Sequence, residues 1–175
     1  VSTRDIWAVN EHDVLHWNGH RWRTVAIGIR LAPSFVLLGS VIAQSDRNVW
    51  IGGAAENSQL GKTEAAAHYN GHSWHVAFLP ATPTPASYEL VSMVPDGHGG
   101  LWALGFLGDQ NWRLWHYAAG GWAMKPAQVS GPADLTGLAS SLASVPGGTS
   151  AWAAGGAGSY PNQGGLILVE GRIPT

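Results

Sequence analysis

The side chains with chemical potential in this chain are its eight histidines and eleven acids. Three histidines recur in one phrase: "LHWNGHRW", "AHYNGHSW" and "WHYAAGGW" place His16, His68 and His116 each six residues before a tryptophan (Trp22, Trp74, Trp122). Repeated imidazoles could converge on a metal, but that needs two or three ligands about 2.0–2.1 Å from one ion. The only local set is His68, His72 and His75, and strand alternation sends these to different faces or into a turn. The expectation is no metal and no cofactor, with each ring bonded to a neighbouring backbone group. Catalysis finds no other foothold. There is no GxSxG elbow, no HExxH, no phosphate-cradling loop and no cysteine. The acids Asp5, Asp46, Asp96, Asp109 and Asp134 are scattered without paired spacing. The chain reads as a non-enzyme.

What would position these residues is a repeat. "DIWAVN", "NVWIGG", "GLWALG" and "SAWAAG" align on Trp7, Trp50, Trp102 and Trp152, separated by 43, 52 and 50 residues. Each is followed by the histidine phrase, except that the fourth copy, "LILVEGRIPT", keeps only Gly171 and has Pro174 where tryptophan is expected. Self-similarity at this period marks units that cannot bury their faces alone. The repeats run about 1–27, 28–79, 80–126 and 127–175, the first and last incomplete, within a single domain at 1–175.

A full unit reads as four short strands. In the second they are "LLGSVIAQ", "NVWIGGAA", "EAAAHYNG" and "SWHVAFL", here termed a, b, c and d. Asn18-Gly19 and Asn70-Gly71 between c and d are the strongest short hairpin signal, because both residues tolerate φ > 0. No stretch sustains a 3.6-residue apolar period, so helix is expected to be negligible. The inner strands are apolar at adjacent positions, as strands buried on both faces are. The expected fold is all-β, a propeller of about four blades, each a four-stranded antiparallel meander. The repeat tryptophans are then interblade core, with Trp17, Trp22, Trp74 and Trp122 core as well.

The pattern resembles the kelch-type propeller repeat and related bacterial Trp-rich propeller repeats: a hydrophobic run, a Gly-Gly pair, then a Tyr and a Trp. The second repeat shows it best, with "VWIGG", Tyr69 and Trp74. In the third, Gly105, Tyr117 and Trp122 match but Phe106 replaces the second glycine; in the first, Trp17 stands for the tyrosine. The resemblance spans nearly the whole chain and implies a fold rather than an activity. The c–d turn sits where sialidase propellers carry an Asp-box, but its Ser-x-Asp part is missing here.

Such a meander sends a–b and c–d turns to one side and b–c and d–a loops to the other. The b–c loops differ between copies ("NEHD", "ENSQLGKT", "FLGDQNW", "AGSYPNQG"), and the d–a loop "PATPTPAS" is Pro-rich. Variable loops on a rigid frame are where recognition concentrates. Candidate ligand or partner contacts are therefore Trp112, Asp109, Gln110, Asn111, Glu56, Asn57, Gln59, Tyr160 and Asn162, with Trp112 the expected exposed aromatic.

Net charge is −2 with 11% charged residues, which supplies no basic field for nucleic acid. The longest apolar run, "FVLLGSVIA", is far short of a bilayer span of roughly 20 residues. The opening "VSTRDIWAV" reads as the interior of a folded domain rather than a signal peptide. The favoured expectation is a non-catalytic interaction module, binding protein or other copies of itself, in a secreted or surface-exposed bacterial protein. The alternatives are a lectin-like carbohydrate binder and a sensor domain cut from a larger receptor. Too few residues precede Asp5 for a strand a, and Pro174 disfavours a strand after Gly171. The ring is therefore expected to be part of a longer propeller, or to be completed by oligomerisation.

Overall fold

The computed structural model describes residues 3–27, 35–57, 61–80, 89–107, 111–126, 128–130, 137–157 and 164–169. All regular structure among them is antiparallel strand. The first sheet holds β1 (Ile6–Val9), β2 (Val14–Trp17) and β3 (Trp22–Val25). The second is β4 (Phe35–Ser45), β5 (Asn48–Asn57), β6 (Gly61–Tyr69) and β7 (Trp74–Phe78), in that order. The third is likewise sequential: β8 (Glu89–Pro95), β9 (Leu101–Leu107), β10 (Asn111–Ala118) and β11 (Gly121–Lys125).

The fourth sheet departs from the meander. β13 (Gly137–Ser144), β14 (Ala151–Ala157) and β15 (Gly164–Val169) follow one another, but the outer place beside β15 is taken by β12 (Gln128–Ser130). Gln128 pairs with Val169 and Ser130 with Ile167. A segment upstream of the sheet thus supplies the strand that "RIPT" was not expected to form, and it covers an edge that would otherwise be open. Residues 170–175 lie outside the described set. The first sheet has three strands among the described residues.

The chain divides into two compact units, Val1–Leu90 and Val91–Thr175. In the first, Val14, Leu38, Ile51 and Ala67 form a core against which Trp7, Val25 and Trp74 pack. In the second, Trp102, Leu114 and Ala151 form one core cluster, and Leu104 with Ala153 another. β5 and β9 are buried on both faces, with Val49, Trp50 and Ile51 at 0–6% exposure and Leu101, Trp102 and Ala103 at 0–3%. That is the burial expected of consecutive apolar residues. The Gly-Gly of the second repeat has a local cause: a Cβ on Gly53 would strike the Leu37 carbonyl, where β4 bulges across β5.

The turns differ from expectation. Asn18 and Asn70 do not adopt positive φ; only Gly19 (88°) and Gly71 (91°) do. Each connection has four residues, held by the asparagine side chain: Asn18 Oδ1 accepts from the N–H groups of His20 and Arg21, and Asn70 Oδ1 from those of His72 and Ser73. The two-residue turn with both φ positive occurs instead at Ala119 (52°) and Gly120 (82°). The first b–c connection spans 10–13 as expected, but the second is shorter than predicted. β5 and β6 pair as far as Glu56 with Lys62 and Asn57 with Gly61, leaving 58–60 between them.

Candidate functional site

The histidines are where the structure is most regular. Antiparallel register sets Trp7 opposite His16, Trp50 opposite His68 and Trp102 opposite His116. Each imidazole lies flat on its indole, with ring centroids 4.2, 4.1 and 4.1 Å apart and planes within 16°, 12° and 17°. The Nε2 atom of each ring then meets a side chain at the start of strand b or in the turn before it. His16 reaches Asp5 at 2.6 Å, His68 reaches Asn48 Oδ1 at 2.9 Å and His116 reaches Asp96 at 2.9 Å. The bond expected to a backbone group is thus made to a carboxylate or an amide. The chain's own acids, scattered in sequence, become the histidines' partners.

In the third repeat the carboxylate also organises a turn. Asp96 is buried, and its Oδ1 accepts the N–H groups of His98 and Gly100, both at 2.8 Å, while Oδ2 faces His116. Burial pushes the Asp96 carboxyl up, but the N–H of His98, the His116 ring and the N–H of Gly100 outweigh it and hold it below the ordinary range. In the second repeat Asn48 Oδ1 receives both Trp50 Nε1 (3.0 Å) and His68. An amide oxygen only accepts, so His68 Nε2 carries its proton. Burial first, and the nearby His75 second, lower the His68 pKa and keep the ring neutral. His68, His72 and His75 do not form a ligand set: His75 Nε2 meets Asn70 and Ser73 instead. Among the described residues no group of three metal-ligating side chains converges.

The fourth repeat breaks the pattern. Val169 stands opposite Trp152, and the indole, expected in the core, is 48% exposed. Trp22, also expected to be core, is 47% exposed in the first sheet. Trp50 and Trp102, by contrast, are enclosed at 6% and 3%.

The candidate contact residues are not brought to one place. Gln59, Asp109, Gln110, Tyr160 and Asn162 lie outside the described residues. Glu56 and Asn57 belong to β5 and Asn111 to β10, with Glu56 exposed. Trp112, expected to be exposed, is half-buried in β10 and packed against the two core clusters described above, because the strand extends further than the loop reading allowed. Trp115 is fully buried. A cavity of about 340 Å³ lies between the a–b turns of the third and fourth repeats, lined by Pro95, His98, Ser144, Val145 and Pro146 among others.

What sequence reasoning missed is the Trp–His–acid unit. Its signal was present: once b and c are antiparallel, the tryptophan and histidine must face each other. No helix among the described residues is long and apolar enough to cross a membrane. Comparison with protein-family models finds no matching family, and comparisons with characterised proteins and solved structures find no significant match.

Proposed function

We propose that this chain is a non-catalytic interaction module: propeller-type repeats, of the kelch-like or Trp-rich kind, that bind protein or other copies of the chain at a cell surface or outside the cell. One observation carries this reading. The histidine–carboxylate pairs that could act as acid and base are each committed to the same structural task, one ring face against an indole and Nε2 against Asp5 or Asp96. A reacting centre is not expected in near-identical copies across a scaffold.

The test is direct. Purified protein should turn over no chromogenic ester, glycoside or phosphate ester above the level of His16→Gln and His116→Gln variants. Turnover that both substitutions abolish, in folded protein, would overturn the reading. A second reading, carbohydrate binding, draws on the exposed indoles of Trp22 and Trp152, because a flat apolar ring at the surface can stack on a sugar. A glycan array separates the two: a specific signal lost on Trp152→Ala or Trp22→Ala would favour the sugar.

A further inference from the structure

The chain uses one sheet-to-sheet joint twice. In Val1–Leu90, Trp7 of β1 seats on the next sheet's aromatic pair, 5.9 Å from Tyr69 and edge-on to Trp74 at 5.8 Å. In Val91–Thr175, Trp102 packs on Ala151 of the next sheet and donates its indole N–H to the Thr149 carbonyl at 2.6 Å. In both cases the forward-facing tryptophan of strand b lands on a row starting one residue before the next sheet's own tryptophan. In the second sheet that row is Val49, Tyr69 and Trp74, set side by side by the register.

Two halves of this joint are unused. The first sheet has the same row as the seat, Ile6 opposite Trp17 and Trp17 opposite Trp22, with Ile6 42% and Trp22 47% exposed. Its Trp17–Trp22 pair has centroids 5.9 Å apart, against 5.2 Å for Tyr69–Trp74. The corresponding Val49 and Leu101 are at 0% and 1%. At the other end, Trp152 is the one forward-facing tryptophan of strand b that is 48% exposed, although Ala151 and Ala153 on the opposite face of β14 are buried. One end shows a seat without a tryptophan, the other a tryptophan without a seat.

We propose that Trp152 of one copy docks on the Ile6–Trp17–Trp22 row of a second copy, repeating between chains the joint that Trp7 makes within one. The surroundings permit it. The seat continues through Ala8, Leu15 and Thr24, and the docking face through Ser141, Ala143 and Ala154, so neither requires a charge to be desolvated. Seat and knob are different surfaces, so the contact is head-to-tail, and each added copy offers a fresh seat until a ring closes. This inference deepens the self-assembly part of the function proposed above and rests on it there.

The test is a mixing experiment by analytical ultracentrifugation. Wild type should associate reversibly above the 18.4 kDa of one chain. Trp152→Glu removes the knob and Trp22→Glu spoils the seat. Each is a substitution at an exposed position, checked for fold by circular dichroism, and each variant alone should stay monomeric. Mixed in equal amounts, they should give a species of twice the single-chain mass and nothing larger, since one intact knob meets one intact seat. A wild type that stays monomeric at all concentrations overturns the proposal, as it would if a single chain closed on itself. Association that survives either substitution, or variants that do not recover a dimer on mixing, also overturns it. A monomer leaves the loop-based binding of other proteins standing, whereas turnover in the substrate assay would remove the functional reading without touching the association.

Discussion

Removal of the Asp96 carboxylate is the sharpest perturbation the structure offers. In Asp96→Ala three hydrogen bonds vanish: those from the His98 and Gly100 N–H groups at 2.8 Å and that from His116 at 2.9 Å. His98 is exposed, so its N–H can turn to water. Gly100 is buried and the His116 side chain is only 18% exposed, so their donors are left wanting. An unsatisfied buried donor costs about 1–3 kcal/mol, and two are left here. The expected loss is therefore about 2–6 kcal/mol, read as a lower urea midpoint at unchanged slope. Asp96→Asn keeps the acceptor for both backbone N–H groups and should cost only about 1 kcal/mol. The acid limb separates the charge from the hydrogen bonds. The folded carboxyl binds its proton less readily than the unfolded one. Its contribution is whole above the ordinary aspartate value of about 3.9 and drains away as pH falls through the lower folded value. Asp96→Asn should flatten that part of the stability–pH curve. A loss below about 1 kcal/mol for the alanine variant, or equal losses for alanine and asparagine, would refute the account.

Three further outcomes follow from the same geometry. Trp50→Ala should lower stability by roughly 3–5 kcal/mol by emptying a large core site, while Trp152→Ala should change the monomer's stability by less than about 1 kcal/mol; denaturant titration of both variants checks this. His68, held neutral by burial and then by His75, contributes stability that is whole above its ordinary pKa and lost as pH falls through the lower folded one; NMR titration of its ring should show a low midpoint, which Asn48→Asp should raise. Gly100→Ala should cost about 2–3 kcal/mol, since its Cβ would strike the Asp96 carboxylate and the Tyr117 carbonyl, whereas Gly121→Ala meets open space and serves as the near-neutral control in the same thermal melts.

Strand identity and sheet order were legible because two independent patterns agree: the tryptophan phrase marks strand b, and the following hairpin fixes c and d beside it. The fourth sheet was less legible. Its outer strand β12 comes from before the sheet, and three residues, "QVS", carry too little pattern to announce a pairing with β15. Exposure at the ends was also hidden, since Trp22 and Trp152 occupy the same repeat positions as the half-buried Trp74 and the buried Trp50. A repeat pattern records which face a residue points to, not whether a neighbour covers that face. The histidine–acid contacts were hidden for another reason. Asp5 and Asn48 stand two residues before their tryptophans, but Asp96 stands six before Trp102, because the "DGHGG" turn intervenes. Only the folded turn brings its carboxylate back to the same place.

The distribution of these units bears on which joint is weakest. In the first three repeats a stacked imidazole pins one indole face, and an acid or amide pins the imidazole, so Trp7 and Trp102 are each ordered before they meet the next sheet of their unit. Preorganisation of this kind lowers the entropic cost of a contact. Trp152 keeps the indole but has Val169 where the histidine would stand. It is therefore the least constrained of the four tryptophans, and under the docking proposed above it would meet its seat only by association. A joint made there should open well before the sheets themselves unfold. Dilution should release single chains whose circular dichroism is unchanged, and the loss of strand signal in step with dissociation would show instead that the contact is part of the fold.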